Sequence, residues 1–226
     1  MLKAILFDVD NTLYSETKAH AVAFAAVTDY AHEKLGMDPD TFAGLYKEEM
    51  SKVAAHLGKT ASTHNRMIRF LRILEDNKLP LYHAKMMNDL YWNTLLDAAQ
   101  PEEGIRDALL SLKKAGYLLG IGTNMTLDWQ MAKLQKLELL DHFDFVVSSE
   151  EAGTEKPDPA FFHFCAQRAG LPPRECLFIG DSLRGDVLGA ENAGMQALWY
   201  APEKTDFEEH PGFSRYCQLQ NLIPVV

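Results

Sequence analysis

Hydrophobic residues along this chain fall into two regimes. In the first, short unbroken apolar runs each stop at a polar cluster. Residues 2–7 lead into Asp8-Val9-Asp10-Asn11-Thr12, and 117–121 into Gly122-Thr123-Asn124. Residues 143–147 lead into Ser148-Ser149-Glu150, and 176–179 into Gly180-Asp181-Ser182. A fifth run, 196–200, ends at Ala201-Pro202. Short, continuous, β-rich runs are the pattern of strands buried on both faces, as in a parallel sheet. The stretches between the later runs carry helical spacing. Met131, Leu134, Leu137 and Leu140 recur within 130–140, a helix opening at Pro157 continues through 160–169, and 187–193 stops at Gly194. This alternation predicts an α/β fold with a doubly wound parallel sheet. Such folds bind ligands outside the carboxyl ends of the strands, which is where the polar clusters stand.

The second regime covers residues 15–100. Helical stretches at 18–35, 41–56, 63–74 and 82–98 are punctuated by Gly36, Gly58 and Pro80, with no strand pattern among them. That is far too long for a loop. It predicts a helical-bundle domain over 15–100, inserted into an α/β core made of 1–14 and 101–226. With 226 residues, 47% of them hydrophobic, the chain can bury such a core. The net charge of −10 disfavours a nucleic-acid polymer as partner. It also means that a phosphorylated ligand would need local cations. Cys165, Cys176 and Cys217 are widely spaced, which fits a reducing compartment and neither a disulfide framework nor a zinc site. The apolar stretch at the N-terminus is too short for a signal peptide, and no run reaches the roughly 18 residues of a membrane span. The expectation is a cytoplasmic protein with no membrane partner.

Four clusters carry candidate chemistry. Asp8 and Asp10, two apart on a strand, share a face. Like charges this close are costly unless a cation joins them; a solvated strand end or helix cap is the alternative. A calcium loop fails, because its sixth and twelfth positions would be Leu13 and Ala19 instead of Gly and Glu. Thr123 and Asn124 could hold a phosphoryl oxygen at a helix start, although both are also common caps. A dinucleotide fingerprint starting at Gly120 fails at its third position, Met125. Lys156, in Glu155-Lys156-Pro157-Asp158-Pro159, is a candidate for the cation the acids require. Asp181 leaves a buried strand directly and would meet Asp8 if the strands are neighbours. Gly180-Asp181-Ser182-Leu183 also occurs in serine esterases, but Asp206 and His210 have the wrong spacing for a triad and no G-x-S-x-G elbow exists.

In order and placement, these clusters resemble the four motifs of the haloacid dehalogenase superfamily. The resemblance covers 2–13, 121–124, Lys156-Pro157 and 179–186, and continues through Gly189-Ala190 to Ala193-Gly194-Met195. It implies that Asp8 is a nucleophile forming an aspartyl-phosphate, with Asp10 as general acid and then base. Lys156 would stabilise the charge, and Asn11, Thr123 and Asn124 would bind the substrate's phosphoryl group. Mg2+ would be held by Asp8, the Asp10 carbonyl and Asp181, with Asp186 orienting the site from behind. The 15–100 insert would be a cap that admits only small substrates. Dehalogenases lack an acid two residues after the nucleophile, so Asp10 favours phosphate esters. The expected reaction is Mg2+-dependent hydrolysis of a small phosphomonoester by a monomer or homodimer. The string from Asp8 to Tyr14 followed by a cap is most similar to nucleotide 5′-monophosphate phosphatases, pyrimidine types in particular. Phosphoglycolate and sugar-phosphate phosphatases, a phosphomutase and a non-catalytic metal-binding scaffold are the alternatives. One departure stands out: the family often has Gly where this chain has Met125. In the insert, Arg66, Arg69 and Arg72 with His64 read as a solvated face, and Phe70, Leu71, Leu74, Tyr91 and Trp92 as core.

Overall fold

The computed structural model describes residues 1–208 and 210–223. The chain divides into two compact units, Met1–Ser15 with Gln100–Val226, and Glu16–Ala99. The first is built on a six-stranded parallel sheet. Its strands are β1 (Ala4–Phe7), β2 (Leu118–Thr123), β3 (Phe145–Ser148), β4 (Cys176–Gly180), β5 (Gln196–Tyr200) and β6 (Gly212–Phe213), in the spatial order β3-β2-β1-β4-β5-β6. All five pairings are parallel. The order reverses around β1, the arrangement of a doubly wound sheet. All four residues of β1 are fully buried, which is why that run reads as unbroken apolar sequence.

The second unit holds four α-helices, α1 (Glu16–Leu35), α2 (Pro39–Leu57), α3 (Arg66–Asp76) and α4 (Tyr82–Ala98). In the first unit they are followed by α5 (Ile105–Lys114), α6 (Leu127–Lys136), α7 (Ser149–Ala152), α8 (Pro159–Ala169), α9 (Leu188–Asn192) and α10 (Leu219–Leu222). None of the helices among the described residues is long and apolar enough to cross a membrane. Helix α8 packs on β2, β3 and α9, where Phe161, Phe162 and Phe178 stack edge to face with centroids 5.6 and 5.1 Å apart.

Two boundaries differ from the sequence reading. Helix α8 opens at Pro159 rather than Pro157, because Asp158 caps it: the Ala160 amide donates to Asp158 Oδ1 at 2.9 Å. Helix α6 stops at Lys136, and Glu138 turns out of the helix with φ 55°. Helix α5 was not anticipated, although Ile105, Ala108, Leu109 and Leu112 form its buried stripe at helical spacing.

In the helical unit, α1 packs on α2 and α4 through a stripe of small residues, Ala19, Ala23, Val27 and Ala31. Phe70, Leu74, Tyr91 and Trp92 are buried as expected, while Leu71 is half-buried. The arginines depart from expectation. Arg69 is buried, donating to the Tyr46 hydroxyl at 3.1 Å and the Thr63 carbonyl at 2.9 Å. Arg66 lies over the Tyr91 and Trp92 rings, 4.7 and 4.6 Å from their centroids, and pairs with Glu16 at 3.3 Å. A flat guanidinium can stack on aromatic faces while keeping its charge paired, so threefold spacing marked a packed face here. Arg72 alone of the three is exposed, and it pairs with Glu75.

Candidate active site

Strand register assembles the site. Phe7 is paired with Ile121 on one side and Ile179 on the other. The residues that follow all three therefore leave the sheet at one edge, which brings Asp8, Thr123 and Asp181 together from distant parts of the chain. After Asp8 the backbone turns sharply. Thr12 and Leu13 both donate their amides to the Val9 carbonyl, and Asn11 takes the left-handed conformation with φ 56°. The turn aims Thr12 at the next loop, where its hydroxyl accepts from the Asp181 amide at 3.1 Å. The Trp199 indole donates to the Asp181 carbonyl at 2.7 Å, so that loop is held from both sides.

Asp8, Asp181 and Asp186 each present a carboxylate oxygen, all within 4.8 Å of one another. Lys156 lies between two of them, 2.7 Å from Asp8 Oδ1 and 2.6 Å from Asp186 Oδ1. The other Asp186 oxygen accepts from the Ser182 amide at 2.9 Å. Asp8, Lys156 and Asp186 are all buried, and one lysine does not balance three carboxylates. Burial pushes the Asp8 carboxyl up to about 7, against the pull of Lys156, and Asp186, Asp10 and Asp181 push the same way. Burial and the neighbouring Asp186 raise Asp181 to about 6. Burial works to lower Lys156, but Asp186 and Asp8 outweigh it and hold the ammonium above its usual range. Three hard oxygen donors around a deficit of positive charge suit a small divalent cation. Asp186 thus belongs to the carboxylate cluster itself, closer in than the sequence suggested, whereas the Asp10 side chain lies outside it.

Asp186 reaches this position because Gly180 has no side chain. A Cβ on Gly180 would meet the Asp186 carboxyl carbon and Oδ2 at 2.3 Å. Gly180→Ala is expected to displace that carboxylate, weaken divalent-ion binding at least about tenfold and lower Tm by several degrees. Calorimetric titration and a melting curve check this.

Asp10 sits in a different frame. Lys133 Nζ donates to its Oδ1 at 2.6 Å and its Oδ2 at 2.9 Å, the Tyr14 hydroxyl to Oδ1 at 2.7 Å, and Gln130 Nε2 to Oδ2 at 3.1 Å. Burial would raise this carboxyl, but Lys133, Tyr14 and Gln130 outweigh it and hold it below the usual carboxylate range. Gln130 Nε2 also donates to Thr123 Oγ1 at 2.8 Å and to the Asn124 carbonyl at 2.9 Å. The Asn124 side chain is occupied by the Lys156 loop: its Oδ1 accepts from the Lys156 amide at 2.9 Å. Asn11 is half-buried in the turn after β1. Met125 has φ 102°, a conformation that favours glycine, and its amide donates to Ser149 Oγ at 2.9 Å. Its thioether packs on Lys133, with Nζ 3.9 Å from the sulfur.

Sequence reasoning missed Thr12, Tyr14, Gln130 and Lys133. The signal for the last two was present: the buried face of α6 is Gln130, Lys133 and Leu134, at i, i+3 and i+4, continued by the buried Leu137 at the helix C-cap. Two polar residues in such a stripe mark a helix that faces a polar site.

The fold and site together define an α/β protein built on a doubly wound sheet, with a buried carboxylate cluster and its lysine at one edge. The sequence profile of the haloacid dehalogenase-like hydrolases matches residues 2–194. The chain is 34% identical over 215 residues to the ribulose-1,5-bisphosphate 5-phosphatase of Halopiger xanaduensis, covering 92% of this chain and 89% of that protein. It is 33% identical over 199 residues to the glyceraldehyde 3-phosphate phosphatase of Methanopyrus kandleri, covering 86% and 82%. Among solved structures, a 2-haloacid dehalogenase from Pseudomonas syringae pv. Tomato superposes with a TM-score of 0.78 at 28% identity, covering 98% of each chain. The chain belongs to the haloacid dehalogenase-like hydrolase family, and it is a phosphatase of that family.

Proposed function

We propose that the protein is a Mg2+-dependent phosphomonoesterase acting through an aspartyl-phosphate on Asp8. The observation that carries this reading is the pairing of two differently held acids at one strand end. Asp8 lies in the carboxylate cluster against Lys156, and Asp10, two residues on, is held by an independent set of donors. In the first step an Asp8 oxygen attacks phosphorus and the ester P–O bond breaks; the departing alkoxide takes a proton from Asp10, which Lys133, Tyr14 and Gln130 hold ionised in the free protein and which gains that proton from solvent as the anionic phosphate binds beside it. In the second step Asp10 takes a proton from water as the water oxygen attacks the same phosphorus; the P–O bond to Asp8 breaks, the Asp8 carboxylate leaves, and inorganic phosphate is released. We assign Lys156 and the Thr123 hydroxyl to offset charge on the phosphoryl oxygens, with Asn11 and the Asn124 amide as further groups that would bind the phosphate. Asp8, Asp181 and Asp186 would hold Mg2+, with the Asp10 carbonyl as a further donor; when bound, the ion supplies the positive charge the cluster lacks.

The substrate class follows from the chemistry the relatives' names share. Ribulose 1,5-bisphosphate hydrolysed at carbon 5 and glyceraldehyde 3-phosphate both carry the scissile phosphate on a terminal primary carbon of a short polyhydroxy chain. We assign this chain the same class, primary phosphate esters of small sugars, in which the ribose 5′-phosphate of a nucleotide is a larger member. The helical unit, residues 16–99, takes the part of a cap that admits such esters and excludes polymers.

The test is phosphate release from a panel of sugar phosphates and nucleoside 5′-monophosphates, with Mg2+ and after chelation. Chelation is expected to lower kcat at least about a hundredfold, reversed by added Mg2+, with sugar phosphates ranking first in kcat/KM. Turnover indifferent to chelation, or isomerised sugar phosphate without free phosphate, would overturn the reading; the second result would indicate a phosphomutase.

A further inference from the structure

Lys133 is 1% exposed and lies on the inner face of α6, with its ammonium on both oxygens of Asp10. Burying a lysine and an aspartate is expensive, and a well-packed apolar pair often serves stability as well or better. The pair therefore calls for a reason beyond holding α6 in place.

The geometry supplies one. Asp10 Oδ1 accepts from Tyr14 and Lys133, and Oδ2 accepts from Lys133 and Gln130, so the plane of the carboxylate is fixed from three directions. Two of those donors come from one helix. One of them, Gln130, also donates to the Thr123 hydroxyl at 2.8 Å. Helix α6 thus carries one rigid ruler between Asp10, which would meet the ester oxygen, and the Thr123 hydroxyl, which would meet the phosphoryl oxygens. Proton delivery to a leaving group demands this kind of registration, because a misplaced acid loses most of its benefit.

Resting on the phosphatase reading above, we propose that Lys133 is a positioning residue that, with Gln130 and Tyr14, sets the orientation of Asp10 toward the ester's leaving oxygen. Lys133, at 1% exposure and bonded to both Asp10 oxygens, would act through Asp10.

The role separates from a merely structural one by its dependence on the leaving group. An aryl phosphate departs as a stabilised phenolate and needs little help from an acid, whereas an alkyl phosphate needs a proton. The ratio of kcat/KM for p-nitrophenyl phosphate to that for sn-glycerol 3-phosphate, in saturating Mg2+, isolates the first chemical step. In Lys133→Met this ratio is expected to rise at least about tenfold, through a loss of about a hundredfold or more on the alkyl ester. Lys133→Arg, which keeps the charge and two donors, is expected to recover part of the loss. Equal losses on both esters would overturn the proposal and leave Lys133 as a structural ion-pair partner. Should Lys133→Met fail to melt cooperatively, Tyr14→Phe and Gln130→Leu each strip one donor from Asp10, and the ratio is expected to rise a few-fold in both. An unchanged ratio in both overturns the proposal equally. Wild-type protein that hydrolyses neither ester would instead sink the phosphatase reading itself, and wild-type turnover with a fixed ratio across all variants sinks only the role of Lys133.

Discussion

Asp8→Asn is expected to lower kcat on a primary sugar phosphate by at least about 10⁴-fold, since an amide oxygen is a poor nucleophile and the covalent route closes. What remains would come from binding and from the donors around the phosphoryl group. The same substitution is expected to leave the metal-free protein at least as stable as the wild type at pH 8. Burial has already pushed the Asp8 carboxyl up to about 7, even with Lys156 beside it. A carboxyl whose pKa is raised on folding favours the folded state at low pH. It withdraws that contribution as pH climbs from the ordinary carboxylate range through 7, because ionising it is harder in the folded protein than in the unfolded chain. Asparagine never ionises, so its melting temperature in chelator should equal or exceed that of wild type above pH 7 and show a flatter pH dependence. Loss of turnover together with a lower melting temperature at pH 8 would indicate that the substitution had damaged the fold instead of removing the nucleophile.

Much of the site could be read from the chain because its chemistry rides on strand ends. A buried parallel strand must be apolar throughout, so the first polar residue after it announces where the edge lies. Asp8, Thr123 and Asp181 were visible for that reason, and the register of Phe7 with Ile121 and Ile179 brings them together. Helices hide such information. Gln130 and Lys133 sit on the buried stripe of α6, but their side chains count as polar, so periodicity assigned the stripe to Met131 and Leu134 instead. Met131 is in fact only half-buried. The arginines of α3 show the same weakness in another form. Charge suggested solvent for Arg66 and Arg69, and only tertiary partners, two aromatic faces and a tyrosine hydroxyl, account for their burial. The depth of Asp186 was equally out of reach, since it depends on a missing Cβ at Gly180 six positions earlier.

Lys156→Met is the substitution expected to separate charge balance from catalysis, because it should move two observables in opposite directions. Lys156 is the cation bonded to both Asp8 and Asp186, and its loss leaves two buried carboxylates facing each other. Without metal, the variant should lose stability on the order of 3–5 kcal/mol, the usual result of removing one partner from a buried ion pair. A divalent ion entering the same cluster no longer meets a fixed positive charge. Even at the dielectric of water, a unit and a double positive charge roughly 5 Å apart repel by about 1.7 kcal/mol, and more in a drier site. Mg2+ should therefore bind the variant at least about tenfold more tightly by calorimetric titration, and saturating Mg2+ should restore most of its melting temperature. Turnover should not follow. Without the ammonium, the charge that builds on the phosphoryl oxygens and on Asp8 during transfer loses a fixed donor, and kcat should fall by about 10²–10³-fold even when the metal site is full. Tighter metal binding with slower turnover is an outcome that general damage to the fold cannot produce. If affinity for Mg2+ fell along with kcat, Lys156 would instead be acting as a scaffold for the carboxylates, and the balance of charge argued from the cluster would be wrong.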